Sequence, residues 1–140
     1  MSLSTAPYIS FPGTTAEAMT FYQSIFGGEL EMLTYDSMST EGFPVKPEPD
    51  AVAHASLTGG ALDLRAGDSI GDEPSPVTSD TYSLIVTVGS VAEGEALIDT
   101  FTAAGGTVEI PFLAAPWGDT YGQVRDSFGV LWQVDAPAAP

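Results

Sequence analysis

Residues 117–132 read Trp-Gly-Asp-Thr-Tyr-Gly-Gln-Val-Arg-Asp-Ser-Phe-Gly-Val-Leu-Trp, and this stretch decides the fold. Gln123-Val-Arg125 and Val130-Leu-Trp-Gln-Val134 have the alternation and composition of strands, and Asp126-Ser-Phe-Gly129 has the turn chemistry to join them. A carboxylate at Asp126 can accept backbone N–H groups just after it, and Gly129 can take the positive φ that closes such a loop. The expectation is a hairpin whose turn fixes the register of both strands.

Upstream of the hairpin the pattern predicts a strand over 82–88 and a helix over 90–104 with Ser90 as its cap. Gly105-Gly106 then stops the helix, and a strand covers 107–111. The N-terminal half runs in the same order. Pro7–Phe11 is a short strand, ended by Pro12-Gly13, and Thr14 or Thr15 caps a helix through Phe26. Its apolar face is Ala18, Phe21, Tyr22, Ile25 and Phe26, and Gly27-Gly28 ends it. Glu29–Tyr35 alternates as a half-buried strand does, and the proline-rich segment 36–50 is a long loop. Strands are then expected at 51–57 and 61–66, joined at Thr58-Gly-Gly60.

Both halves therefore spell β-α-Gly-Gly-β-β-β. Tyr8 corresponds to Tyr82, and Ala16-Glu17 with Gly27-Gly28 corresponds to Ala92-Glu93 with Gly105-Gly106. Such a repeat implies pseudo-twofold modules that stack their sheets. The reading is one domain over 1–140, with a first βαβββ module at 6–67, a polar, proline-rich linker at 68–80, and a second module at 81–136. The fold class is α+β.

Composition narrows the functions. At 140 residues and 44% hydrophobic the chain can bury one sizeable core. It has no cysteine, which excludes disulfides, thiolate metal sites and cysteine nucleophiles. No apolar run approaches the length of a membrane span and no signal segment is evident, so the expectation is a cytoplasmic protein with no membrane partner. Nineteen acids face only Lys46, Arg65 and Arg125, a formal charge of −16. That surface repels phosphate backbones, which argues against nucleic-acid binding; solubility accounts for the acidity, with a cationic partner as the other reading.

Several further motifs point to one family: Tyr8-Ile-Ser-Phe11, Ala18-Met-Thr-Phe-Tyr22, Phe26-Gly-Gly28, Val52-Ala-His-Ala55, Pro116-Trp-Gly-Asp119, Tyr121–Asp126 and Phe128-Gly-Val-Leu-Trp132. Through these the chain, from about residue 6 to 135, resembles the vicinal oxygen chelate superfamily of glyoxalases, bleomycin-resistance proteins and extradiol dioxygenases, and within it the PhnB-like branch. The resemblance implies two curled mixed sheets forming a cavity, helices on the outer face, and a homodimer. It also implies where a metal would sit, because metal-using members take one ligand from the first and one from the last strand of each module. Those positions fall here on Ala6 or Pro7, on Ser83 and Gln133, and on Leu64 or its neighbour Asp63. That set is poor in the His and carboxylate donors that divalent ions favour.

Alternation decides among candidate pocket residues. If Leu62 and Leu64 pack under the helix, Asp63 and Arg65 share the opposite face and either line the pocket or pair with each other. His54, the only histidine, is a hydrogen-bonded strand or interface residue, a pocket residue or a proton carrier. Tyr8, Tyr35, Phe43, Trp117, Tyr121 and Trp132 supply aromatic surface, with Trp132 and Phe128 read as core. Arg65 and Arg125 either anchor an anionic ligand or form ion pairs.

Two readings follow. In the first the protein binds a small molecule without a catalytic metal or other cofactor, in a pocket of Tyr8, Tyr35, His54, Asp63, Arg65, Ser83, Trp117, Tyr121 and Gln133, with the 36–50 loop as cover. In the second it is a metal-dependent lyase, isomerase or dioxygenase with Asp63, Gln133 and His54 as ligands.

Overall fold

In the computed structural model, which describes residues 2–71, 73 and 75–138, the hairpin closes on its own carboxylate. Asp126 Oδ1 accepts the N–H groups of Phe128 (2.9 Å) and Val130 (3.0 Å), and Gly129 has φ 99°. The strands on either side pair antiparallel in one register, with Arg125 opposite Leu131, Gln123 opposite Gln133 and Tyr121 opposite Asp135.

The chain divides into two compact units, the first running to Val77 and the second beginning at Thr78. The first unit contains β1 (Tyr8–Phe11), α1 (Thr15–Phe26), β2 (Glu29–Thr34), β3 (Val52–Thr58) and β4 (Leu64–Asp68). Its sheet has the order β1-β4-β3-β2, with β1 parallel to β4 and the other neighbours antiparallel. The second unit contains β5 (Leu84–Thr87), α2 (Val91–Ala103), β6 (Thr107–Ala114), β7 (Thr120–Arg125) and β8 (Leu131–Ala136). Its order, β5-β8-β7-β6 with β5 parallel to β8, repeats that of the first. The fold is α+β, two paired βαβββ modules, each with an open mixed sheet and a helix on one face.

Period-two alternation separates the two faces of each sheet. In the second unit Val124, Trp132, Val134 and Ala136 are buried on the α2 side, where Trp132 stacks on Phe101 with ring centroids 5.4 Å apart. In the first, Ile9, Phe11, Ala55, Leu57, Leu64 and Ala66 are buried with Ala18, Met19 and Tyr22 of α1. Burying a large side chain stabilises by about 1.5–3 kcal/mol, so these layers hold each unit together.

The two helices begin differently. Ser90 caps α2, its Oγ accepting the Glu93 N–H at 3.1 Å while Glu93 Oε2 accepts the Gly89 N–H at 3.0 Å. For α1 neither Thr14 nor Thr15 provides a side-chain cap. The Thr15 N–H instead donates to Asp68 Oδ1 (3.0 Å), and Asp68 Oδ2 accepts the Val52 N–H (2.9 Å). A carboxylate at the end of β4 thus does the work expected of a local threonine.

Other boundaries differ from the sequence expectation as well, β5 being shorter (Leu84–Thr87) and β7 and β8 longer (Thr120–Arg125, Leu131–Ala136), and two differences have a visible cause. β4 starts at Leu64, not at Ala61, because Ala61 donates its N–H to Phe26 O (3.1 Å) at the end of α1. The connection from β3 is therefore a longer loop in place of a tight turn at Gly59-Gly60. β6 runs on to Ala114 through Pro111. It is an edge strand with register shifts beside Ile110, the setting in which a residue without an N–H does little harm. The 36–50 loop is closed at its neck by Tyr35 N–H to Ala51 O (3.1 Å) and Asp36 N–H to Pro49 O (2.8 Å). Among the described residues no helix is long and apolar enough to cross a membrane.

Candidate functional site

In the first unit, five candidate residues fall into three groups. Tyr8 on β1 and His54 on β3 lie on the sheet face away from α1, and their rings stack with centroids 6.0 Å apart. The Tyr8 ring crosses Gly67 so closely that a Cβ there would collide with its hydroxyl. Partial burial, then the neighbouring Tyr35 and Asp68, push the Tyr8 hydroxyl above its ordinary range. Asp63 stands ahead of β4 and pairs with Arg65 at 2.6 Å, so both charges are committed to each other. Leu64 is fully buried. Tyr35 packs edge-on against Phe43, 5.8 Å between centroids, beside the 36–50 loop. That loop contributes Val45, Lys46, Pro47 and Glu48 to a concavity of about 270 Å³, but none of the five candidate residues lines it.

The second unit gathers its four candidates on one face. Because Trp132 and Val134 point toward α2, Gln133 and Asp135 point away from it, opposite Gln123 and Tyr121 of β7. The side chains form a directional row. Gln123 Nε2 donates to Tyr121 Oη (2.7 Å), the Tyr121 hydroxyl donates to Gln133 Oε1 (2.9 Å), and Gln133 Nε2 donates to Ser83 Oγ (2.7 Å). Trp117, in the β6–β7 turn, meets Tyr121 edge-on at 5.6 Å. Ile85, Trp117, Asp119, Tyr121, Gln133 and Asp135 line an open concavity of about 370 Å³.

Three of these lining residues were not among the sequence candidates. Ile85 lies on β5 opposite Gln133. Asp119 leads into β7 and accepts the Ala138 N–H at Oδ1 (3.0 Å). Asp135 is held above the ordinary carboxylate range, first by burial and then by a hydrogen bond with, and the charge of, Asp119. The signal was present in the sequence: the Asp126–Gly129 turn fixes Gln123 opposite Gln133, and two residues further along that register Tyr121 meets Asp135.

Arg125 is an ion-pair hub. It bonds Glu109, bonds Asp80 at 2.8 Å and donates to Gly129 O at 3.0 Å; the two carboxylates, the Glu109 hydrogen bond first, raise its pKa further. Of the two readings of the arginines, ion pairing is therefore the one the geometry favours.

The donor chemistry does not fit a divalent ion held by the four strand positions. Gln133 already spends its oxygen on Tyr121 and its nitrogen on Ser83, Leu64 has no donor, and Asp63 is paired with Arg65. Among the described residues no three of His, Cys, Asp and Glu come together as a ligand set.

Two open mixed βαβββ sheets, each with a polar and aromatic face turned from its helix, define the class. Residues 7–134 match the glyoxalase/bleomycin resistance protein/dioxygenase superfamily, and the chain belongs to it. Protein YjdN of Escherichia coli (strain K12) is 31% identical over 140 residues, 93% of this chain and 92% of that protein. Among solved structures, protein PA1353 from Pseudomonas aeruginosa is 31% identical with TM-score 0.79, covering 99% of this chain and 100% of its own. The PhnB protein from Bacillus cereus, which carries the label 3-demethylubiquinone-9 3-methyltransferase, is 27% identical with TM-score 0.75, covering 96% of this chain and 100% of its own.

Proposed function

We propose that the protein binds a small organic molecule on the helix-free face of its second sheet, without a catalytic divalent ion. The supporting observation is the row Gln123–Tyr121–Gln133–Ser83, which holds four polar groups in fixed orientation beneath the exposed ring of Trp117. Ligand sites combine apolar walls with a few placed polar groups in this way. The face has polar hydrogen-bonding groups for orientation and aromatic surface for burial, but no nucleophile set beside a base. Binding or sequestration is the activity that needs nothing more.

The methyltransferase label of the Bacillus cereus relative is not carried over. A methyl-donor site of the common kind uses a Gly-rich turn from strand to helix in a doubly wound parallel sheet, whereas both sheets here are four-stranded and mixed. The alternative reading is a metal-dependent lyase, isomerase or dioxygenase, favoured by the superfamily to which the chain belongs. Our reading also takes the protein as a homodimer, which light scattering on the purified chain tests directly.

Native mass spectrometry of the protein purified from its own cell extract tests the binding reading. The expected result is a co-purifying small-molecule mass that is lost in a Tyr121→Phe, Gln133→Leu double variant. Turnover that appears only when Ni, Zn, Fe or Mn is added, with near-stoichiometric metal retained, overturns it.

A further inference from the structure

The concavity of the second unit is lined by two unlike kinds of residue. Ile85 and Trp117, 64% and 63% exposed, form an apolar wall with the Tyr121 ring. Asp119 and Asp135 line the same concavity, Asp135 directly across from Tyr121 in the β7–β8 register, and Asp119 acts on the Asp135 carboxyl. Two adjacent carboxylates cannot both ionise comfortably unless a positive charge joins them. The second unit has one base, Arg125, and it is already committed to Glu109 and Asp80. Burial first, and then the neighbouring Asp119, raise the Asp135 carboxyl, the direction expected where a second carboxylate stands close by.

We infer that the ligand of this face carries an organic cation, an ammonium or guanidinium group, next to a small apolar portion. This rests on the binding reading proposed above and specifies its ligand class. The cation sits beside the Asp119 and Asp135 carboxylates, and the apolar portion packs on Ile85 and Trp117. The Trp117 ring adds cation–π attraction at the edge of the site. Beyond its bond to Ser83 the Gln133 amide keeps a second N–H for a further polar atom. An anionic ligand meets repulsion from both carboxylates, and a neutral one leaves their repulsion unrelieved. The chain's charge of −16 draws cations to the whole surface, and this concavity joins two carboxylates to aromatic surface in about 370 Å³, room for an aryl amine.

Titration of the 15N-labelled protein with 2-phenylethylamine, 2-phenylethanol and phenylacetate tests this. The readout is the two tryptophan indole resonances, recorded at high salt so that diffuse attraction is screened. The indole of Trp132 is bonded to Asp126 in the core and serves as the reference. The amine should shift the Trp117 indole and bind about tenfold or more tightly than the alcohol. Asp135→Asn and Asp119→Asn should each abolish that preference, while Glu95→Gln on the exposed face of α2 leaves it unchanged. Equal binding of amine, alcohol and acid overturns the cation inference and leaves the binding reading standing. An amine preference that survives in both Asp variants also overturns it. If none of the three moves the Trp117 resonance, the cation inference falls, and the binding reading is decided by the co-purification experiment.

Discussion

The indole N–H of Trp132 donates to Asp126 Oδ2 at 2.8 Å, so one carboxylate closes the β7–β8 turn with one oxygen and anchors the largest core side chain with the other. This links the turn to the packing layer. The same bond that fixes Trp132 against α2 obliges Gln133 and Asp135 to face away from it, which is what builds the candidate site.

Removing Asp126 strands three donors at once. Phe128 N–H, Val130 N–H and the Trp132 indole all lose their acceptor, and Asp126 is only 5% exposed. Leaving one buried donor unsatisfied costs about 1–3 kcal/mol. Asp126→Ala should therefore destabilise by about 3 kcal/mol or more, read as a fall in the urea midpoint. Asp126→Asn keeps one acceptor oxygen and should lose less. An Ala variant within the noise of wild type removes the carboxylate from its proposed structural role.

Gly129 holds φ 99° in the same turn. An L side chain at such a φ costs about 1–2 kcal/mol, so Gly129→Ala should lose roughly that amount in equilibrium unfolding. The secondary-structure content should be unchanged, because the strain is local. An Ala variant as stable as wild type would show that the turn relaxes at little cost.

This hairpin was the most legible part of the fold because its determinants are contiguous: acceptor, donors and positive-φ glycine lie within five residues. The Ser90 cap was legible for the same reason. The parts that were misread depend on distant partners. β4 starts late because Ala61 is held by Phe26, and α1 starts without a threonine cap because Asp68 reaches it from the end of β4. β6 extends through Pro111 because it is an edge strand, a property of sheet order that no local window carries. In the site, Ser83 and Gln133 follow from the strand positions that the family resemblance implies, and Trp117 and Tyr121 from their aromatic rings; the four are joined by the Tyr121–Gln133 and Gln133–Ser83 bonds and the Trp117–Tyr121 contact. Asp119 and Asp135 were missed because their partnership arises only once the hairpin register is followed beyond its turn.

The two helix starts should respond in opposite ways to threonine and serine truncation. Ser90→Ala removes the acceptor for Glu93 N–H and should cost about 1 kcal/mol. Thr14→Ala removes no cap bond and should stay within about 0.5 kcal/mol of wild type. Asp68→Ala, which frees the Thr15 and Val52 N–H groups together, should cost about 2 kcal/mol or more. Chemical denaturation of the three variants in parallel ranks them. A Thr14 variant less stable than the Asp68 variant would reverse the assignment.

Asp135 gives the fold a pH dependence of a definite sign. Burial, then the hydrogen bond and charge of Asp119, raise its carboxyl above the ordinary 3.8. Between 3.8 and that raised value the folded protein holds a proton that the unfolded chain has released. Each rise in pH through this window therefore lowers stability, and the full penalty persists above it. Asp135→Asn carries no such proton. The stability of this variant relative to wild type should climb as pH rises from 3.8 and then level off, with a slope no steeper than about 1.4 kcal/mol per pH unit. Unfolding at fixed ionic strength across that range measures the difference directly. A flat or falling difference curve removes the strain from the Asp119–Asp135 pair. A rising one, together with loss of amine binding in the same variant, identifies the pair as a stability cost retained for recognition.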